Sequence, residues 1–337
     1  MSFAQSDSVT IKLLYFDLNT FYLKPKVSGE TQSRNFKSIH VADMRPDTNR
    51  IGIYSFGFKP STREVKTKQP FSVAIQSALE EKLLSPNGTR EILIVLKHCW
   101  ITQGVGPISP ANEKEYRYGI NLSIRLKADV YISVQNLWRP LLRIDTTSYS
   151  PGDPNEWAER KFNELLTGFA QQLNKYSTVD VTNRKGFSLD SIEHSNASAF
   201  TAPAFVTTLL KKGVYKSYSE FRNNSPSISD YEIKREGNFS ILYLREKNGN
   251  TYYSNNIWGF CDNNQVYVNI ALNYFPLFRD GNAFYVYGSD RLEKRTSSLP
   301  LIIPFAGYAG HVDFERKKIT VDGFRIFVVD LEKGIRY

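Results

Sequence analysis

Alternating apolar and polar residues between Tyr118 and Val134 constrain the fold of this chain more than any other feature. Every even position in that stretch is apolar, whereas the odd positions include Arg125, Lys127 and Asp129. Side chains along a strand alternate between the two faces of a sheet. The pattern therefore predicts one long strand, with one face on a core and the other in water.

The elements around this strand predict an α+β fold. Apolar residues recur every three or four positions after Pro70, up to Leu83, and again from Trp157 to Leu173, which indicates two amphipathic helices. The continuous apolar run Ile92–Leu96 is typical of a central strand covered on both faces. We expect a largely antiparallel N-terminal sheet with both helices packed on one face.

The second half of the chain is predicted to be a mostly antiparallel β-meander, rolled into a barrel or a sandwich. Short apolar segments alternate there with turn sequences such as Asn248-Gly249-Asn250, Asp262-Asn263-Asn264 and Asp322-Gly323. Glycine and asparagine accept the positive φ that tight hairpins require.

A chain of 337 residues is long enough for two domains. We predict an α+β sandwich domain over residues 1–177 and a β-rich domain over 205–337. The polar segment 178–204 would connect them.

The charge distribution argues against a nucleic-acid partner. The net charge of +9 is spread over both halves of the chain instead of forming a basic arm. No apolar run approaches the roughly 20 residues of a membrane-spanning helix, so we expect no transmembrane segment.

Few residues suggest chemistry, and we assign no catalytic residue, metal ligand or cofactor. Cys99 and Cys261 lack metal-site spacing and are expected to be two buried thiols instead of a disulfide between domains. In a strand at Gly310–Phe314, His311 and Asp313 would share one face, where a ligand could bind.

Aromatic residues are concentrated between Tyr252 and Tyr287. Together with Arg245 and Arg279 they could form a platform on which sugars or bases stack, although core packing explains most of them. The candidate binding residues are therefore Tyr252, Trp258, His311 and Asp313.

The N-terminal half resembles a family of bacterial lipoproteins. The residues that carry the resemblance are His40-Val41-Ala42-Asp43-Met44-Arg45-Pro46-Asp47, followed by Ile51-Gly52-Ile53. They are similar to the opening motif of YajG-type lipoproteins. The element order over about residues 36–176 is also similar to auxiliary lipoproteins of ABC-type lipid transport systems. No cysteine stands near the N-terminus to carry a lipid, and neither family supplies catalytic residues.

The second half resembles uncharacterised secreted proteins of Bacteroidota. This resemblance is carried by Gly213-Val214-Tyr215, Glu220–Pro226 and Ile257–Asp262. It implies an envelope location. Ser2-Phe3-Ala4-Gln5 resembles the end of a secretory signal and suggests a periplasmic or outer-membrane-associated protein.

These observations favour a non-enzymatic bacterial envelope protein that binds or scaffolds a protein or another envelope component. The β-rich domain would offer strand edges to that partner. The alternative is a hydrolase acting on glycans or peptides, with its site in the β-rich domain or in a cleft between the domains. The sequence leaves the oligomeric state open.

Overall fold

The structure is a computed structural model. It describes residues 19–29, 35–56, 61–107, 118–151, 154–236, 239–246, 248–253, 257–270, 273–280, 283–295, 308–313 and 318–328. The described residues form two compact units, an N-terminal unit up to residue 197 and a C-terminal unit from residue 198 onward.

The described residues of the N-terminal unit form seven strands and three helices. The strands are β1 (Asn19–Tyr22), β2 (Phe36–Asp43), β3 (Gly52–Phe56), β4 (Ser61–Lys66), β5 (Arg90–Pro107), β6 (Tyr118–Val134) and β7 (Leu137–Pro151). The helices are α1 (Phe71–Leu83), α2 (Pro154–Tyr176) and α3 (Leu189–Ala197). All seven strands join one sheet in the order β1-β4-β3-β5-β6-β7, with β2 paired to β5 as well.

The central position predicted for Ile92–Leu96 is confirmed. These residues lie in β5, which is antiparallel to β6 on one side and parallel to β2 on the other. All five side chains are buried. Gln135 and Asn136 take positive φ in the tight turn between β6 and β7.

The predicted helices α1 and α2 pack on the same face of this sheet, which confirms the α+β architecture. Phe71 of α1 and Phe162 of α2 meet at 6.0 Å between ring centroids, within one core that includes Leu126 and Val130 of β6. The opposite face holds a smaller cluster, in which Ile192 of α3 packs with residues of β5. Residues 178–204, expected to connect the domains, thus include a helix of the N-terminal unit.

The alternating strand exists as predicted, but its polar face does not lie in water. Arg125, Lys127 and Asp129 are 2%, 1% and 6% exposed. Neighbouring strands supply opposite charges: Arg125 Nη2 lies 2.8 Å from Asp145 Oδ1, and Arg143 Nη2 donates to Asp129 Oδ2 at 2.8 Å. Burial alone would raise the pKa of Asp129. The hydrogen bonds and charges of Arg143 and Lys97 lower the pKa by more than burial raises it, so the carboxyl pKa lies below its usual value.

In the part of the C-terminal unit that the structure describes, ten strands form one sheet. They are β8 (Gly213–Tyr215), β9 (Tyr231–Glu236), β10 (Phe239–Arg245), β11 (Thr251–Tyr253), β12 (Gly259–Asp262), β13 (Gln265–Ile270), β14 (Asn273–Asp280), β15 (Ala283–Arg295), β16 (Tyr308–Asp313) and β17 (Lys318–Val328). A turn of 3-10 helix (Ser198–Phe200) and two short helices, α4 (Pro203–Val206) and α5 (Tyr218–Arg222), precede most of them.

The meander is confirmed, and its described strands form an open, branched sheet instead of a closed barrel. The main path runs β16-β17-β15-β14-β13-β12-β8. The branch starts where Ser240 of β10 pairs with Tyr274 of β14, and it adds β9 and β11 on either side of β10. The hairpin turns at 248–250 and 262–264 lie where the sequence predicts them.

The predicted hairpin at Asp322-Gly323 is wrong. These residues lie inside the single strand β17, which pairs with β15 over its whole length. Asp322 is opposite Arg291 and Gly323 is opposite Asp290 in that ladder. Long-range pairing on both sides of β17 therefore overrides the local turn preference.

The segment Ser2–Gln5, which suggests a secretory signal, lies outside the described residues. None of the helices in the described part of the chain combines the length and apolar character needed to span a bilayer.

Candidate functional site

The branch β9-β10-β11, here called the tyrosine leaf, has an outward face that carries Tyr243 and the exposed Tyr253. The strand register places Tyr243 of β10 directly opposite Tyr253 of β11. Directly opposed residues share a face of the sheet. The two rings meet edge-on, with centroids 6.5 Å apart, and the Lys234 ammonium lies 4.8 Å from the centroid of the Tyr243 ring. Tyr253 is 38% exposed.

The inward face anchors the tyrosine leaf to the main sheet. Leu242 and Leu244 are 0% and 4% exposed and belong to a core cluster with Phe260 and Tyr274. The Tyr231 hydroxyl donates to the Cys261 carbonyl oxygen at 3.0 Å. The buried apolar face, together with this hydrogen bond to β12 of the main sheet, holds the outward tyrosines in place.

The two outer strands of the tyrosine leaf, β9 and β11, differ in how strongly their side chains oppose the pairing of another strand with their free edge. Four of the six residues of β9 are charged (Tyr231–Glu236, YEIKRE). Charged residues are a common device that keeps strand edges from pairing with other chains. The three residues of β11, Thr251–Tyr253, are exposed and uncharged. Among the described strands, β11 pairs with β10 alone.

This arrangement suits the binding of an extended peptide segment. An added strand would hydrogen bond to the β11 backbone, while its side chains would contact the tyrosine rings. Tyrosine supplies a large apolar area with little conformational entropy to lose, together with a hydroxyl for hydrogen bonds. Arg245 extends the outward face and is half-exposed, with its guanidinium 3.6 Å from the Asp230 carboxylate.

The predicted aromatic residues Tyr252 and Trp258 have different environments. Tyr252 lies on β11 and is 46% exposed, but the register pairs it with Leu244, so it lies on the inward face and not beside Tyr253. Trp258 instead stacks on Phe221 with ring centroids 4.5 Å apart, and Tyr218 lies 5.6 Å away. Trp258 is therefore a partly buried core contact of the C-terminal unit, not part of an open platform.

His311 and Asp313 both lie on the strand β16, as the sequence predicts. The register places His311 opposite Thr320 and Asp313 opposite Lys318. Their role in ligand binding stays a prediction. Within the described part of the chain, no group of three or more His, Cys, Asp or Glu side chains could hold a metal ion.

Asp43 and Arg45 of the lipoprotein-like motif form a buried ion pair. The Arg45 guanidinium donates to both oxygens of the Asp43 carboxylate, at 2.8 and 2.7 Å. Its third contact is the Arg50 carbonyl oxygen at 2.9 Å, and the Phe71 ring centroid lies 4.5 Å from Cζ. The motif thus joins β2 to the loop before β3 and to the first residue of α1. These contacts give it a structural role.

Sequence reasoning missed Tyr243 and Lys234 as members of the site. A detectable signal existed, because the predicted turn at 248–250 fixes which residues of the two hairpin strands oppose each other. Extending that register would have paired Tyr243 with Tyr253.

Both cysteines are free and buried, as predicted. Burial raises the pKa of the Cys99 thiol to about 12 and that of Cys261 to about 11. Cys99 belongs to the core under α1, and its neighbour His98 lies across the sheet opposite Lys127. Adjacent strand residues face opposite sides, so the sequence His98-Cys99 makes no thiol–imidazole pair.

We expect both thiols to resist modification until the protein unfolds. Because burial raises both pKa values well above 8, both thiols stay protonated at pH 8, and the thiolate is the form that attacks a disulfide reagent. Reaction with Ellman's reagent should be negligible in buffer and release two equivalents of thionitrobenzoate in denaturant. Prompt release of one equivalent from the native protein would contradict the burial of one of the two thiols.

Comparisons with known proteins give weak similarity only. No protein-family model matches the chain, and no curated protein matches it. A crystal structure of a Xanthomonas campestris protein, described under the family model DUF330, has 11% identity and a TM-score of 0.29. The match covers 47% of this chain and 96% of that one. Another structure, of a protein described as uncharacterized, has 10% identity and a TM-score of 0.24, covering 47% and 95% of the two chains. The resemblances to YajG-type lipoproteins and to Bacteroidota proteins stay predictions.

Proposed function

We propose that this chain is a non-enzymatic bacterial envelope protein that binds or scaffolds a protein partner through the tyrosine leaf. The partner would add an extended segment to β11 and cover Tyr252 and Tyr253. The periplasm or the outer membrane is the proposed location, on the resemblance of Ser2–Gln5 to the end of a secretory signal.

One observation carries the binding proposal: two adjacent tyrosines, 46% and 38% exposed, stand on opposite faces of an uncharged edge strand, and the strand paired with it, β10, packs into a core. Exposed aromatic residues on a rigid support are typical of energetically important interface positions. The charged strand β9 on the other side of the tyrosine leaf makes strand addition at β11 the favoured direction.

The double substitution Tyr252→Lys/Tyr253→Lys tests this proposal. It places charged side chains on β11, as β9 already carries them, at two exposed positions. We expect at least about tenfold weaker recovery of the partner, because desolvating two lysines and losing two rings each disfavour binding. The measurement is quantitative mass spectrometry of proteins retained from detergent-solubilised envelopes by the immobilised full chain.

Tyr22→Lys is the matched control. Tyr22 is 49% exposed and also lies on an edge strand, β1, but in the N-terminal unit. This variant should retain the partner as the unsubstituted chain does. Equal recovery by the β11 variant and the control would refute partner binding at the tyrosine leaf.

A further inference from the structure

A second exposed apolar feature lies in the C-terminal unit and involves none of the residues of the tyrosine leaf. Residues 206–212, here called the apolar knuckle, run from the end of α4 to the start of β8. Val206 is 63% exposed and Leu209 is 72% exposed. Leu209 is thus the most exposed of the large apolar side chains in the described part of the chain.

Asn224 fixes one side of the apolar knuckle. Its side-chain oxygen accepts hydrogen bonds from the Lys211 amide at 2.8 Å and from the Tyr215 hydroxyl at 3.2 Å. Its side-chain nitrogen donates to the Leu209 carbonyl oxygen at 3.3 Å. Asn224 itself is only 8% exposed and has a φ of 49°, a left-handed conformation that asparagine tolerates well.

Asn264 fixes the other side from the hairpin turn between β12 and β13. Its side-chain oxygen accepts from the Leu210 amide at 3.0 Å, and its nitrogen donates to the Thr208 carbonyl oxygen at 3.2 Å. The Thr207 hydroxyl donates to the Leu209 carbonyl oxygen and accepts from the Leu209 amide. The Lys211 carbonyl oxygen lies 2.9 Å from the Tyr215 hydroxyl, whose single proton is shared between this oxygen and the Asn224 side-chain oxygen.

In the apolar knuckle, the side chains of Val206 and Leu209 are therefore exposed, whereas most of the backbone N–H and C=O groups make hydrogen bonds within the protein. Polar backbone groups without partners are what makes a loop costly to move into an apolar medium. A protein partner could supply missing hydrogen bonds at its interface, but the acyl region of a bilayer cannot. Internal bonding of this kind therefore favours a lipid surface as the medium that receives Val206 and Leu209.

The charge beside the apolar side chains agrees with that surface. Lys211 and Lys212 directly follow Leu209 and Leu210 in the chain, and both lysines are exposed. Lys212 lies 3.1 Å from the Asp262 carboxylate, yet its side chain remains 69% exposed. Lysines next to an inserted apolar segment attract anionic headgroups.

We propose that the apolar knuckle is a membrane-contact site, at which Val206 and Leu209 enter the interface of an anionic bilayer and Lys211 lies among headgroup phosphates. Insertion this shallow, through two side chains, is reversible and weak. The proposal does not depend on partner binding by the tyrosine leaf.

Flotation of the purified full chain with vesicles tests the proposal. The vesicles contain phosphatidylcholine alone or phosphatidylcholine mixed with phosphatidylglycerol. We expect the chain to float with the mixed vesicles, Leu209→Asn to lower the partition coefficient at least about tenfold, and Lys211→Gln to lower it about fivefold. Leu189→Asn is the matched control, since Leu189 is 41% exposed in the N-terminal unit, and it should float like the unsubstituted chain.

A label at the same position gives a second measurement. The buried Cys99 and Cys261 leave Leu209→Cys as the reactive thiol for an environment-sensitive dye, whose emission should shift to the blue with mixed vesicles but not when the dye is at Leu189→Cys. Two results would overturn the proposal: no flotation of the unsubstituted chain, or flotation that Leu209→Asn leaves unchanged. If Leu209→Asn then also lost a protein that the immobilised chain retains from envelopes, the apolar knuckle would be a protein contact instead. The Tyr252→Lys/Tyr253→Lys chain should float normally, so failure at one site is distinguishable from failure at the other.

Discussion

Replacing Asp43 with alanine is expected to destabilise the N-terminal unit by about 3–5 kcal/mol, because it leaves a buried cation without its partner. The side chain of Arg45 is only 2% exposed and that of Asp43 only 12%. Burial lowers the pKa of Arg45, but the hydrogen bond and charge of Asp43 raise it above its ordinary value. Arginine therefore cannot escape the penalty by losing its proton, as a buried lysine does.

Guanidinium unfolding followed by tryptophan fluorescence measures this effect. Three of the four tryptophans, Trp100, Trp138 and Trp157, lie in the N-terminal unit, so the signal reports mainly on it. The two units can unfold separately, and each transition then needs its own fit.

Two variants show whether the buried charge is the cause. Glu91→Ala removes the acid of a surface pair with Lys37, at 3.1 Å, and should cost no more than about 1 kcal/mol. The double variant Asp43→Ala/Arg45→Met removes the orphaned charge and should regain most of the lost stability. A loss below about 1 kcal/mol for Asp43→Ala alone would contradict a structural role for the pair.

The alternating strand illustrates what local pattern can and cannot predict. The even positions of β6 identified the core face, because an apolar side chain is stable only out of water. At odd positions the same pattern arises whether Arg125 points into solvent or toward an acid across the sheet. The acid, Asp145, is 20 residues away on β7, so its contribution depends on the strand register and not on the local sequence.

In the candidate site, too, the local sequence predicts the strands and turns, whereas contacts with residues distant in the chain decide which side chains are exposed. The turn predicted at Asn248-Gly249-Asn250 lies between β10 and β11 of the tyrosine leaf, and Tyr252 was identified on β11. Trp258 could not be separated from Tyr252 by sequence, because the ring that covers it, Phe221, lies on α5, 37 positions earlier in the chain. Composition shows that aromatic residues are abundant. Only packing decides which of them remain exposed.

Gly52 belongs to the lipoprotein-like motif, and its packing supports a structural role for that motif. Replacing Gly52 is the second substitution for which we expect a large loss of stability. Gly52 begins β3, where the strand meets the buried residue Ile101 of β5. A Cβ atom at position 52 would stand 2.2 Å from the Ile101 carbonyl oxygen and 2.7 Å from the Ile101 Cβ. Ile101 belongs to the central strand and its amide already donates to the Ile51 carbonyl oxygen at 2.8 Å. Neither backbone can move aside cheaply.

Gly52→Ala should therefore destabilise the N-terminal unit by about 3 kcal/mol or more, at the upper end of what overpacking costs. Gly168→Ala is the matched control, because no atom lies within 4 Å of its added Cβ on α2. Alanine there should stabilise the helix by about 0.5–1 kcal/mol. The same guanidinium titration measures both variants, and shifts of opposite sign are expected. Tolerance of alanine at position 52 would mean that β3 approaches β5 less closely than this register requires, and the motif would then need an explanation other than the packing of these two strands.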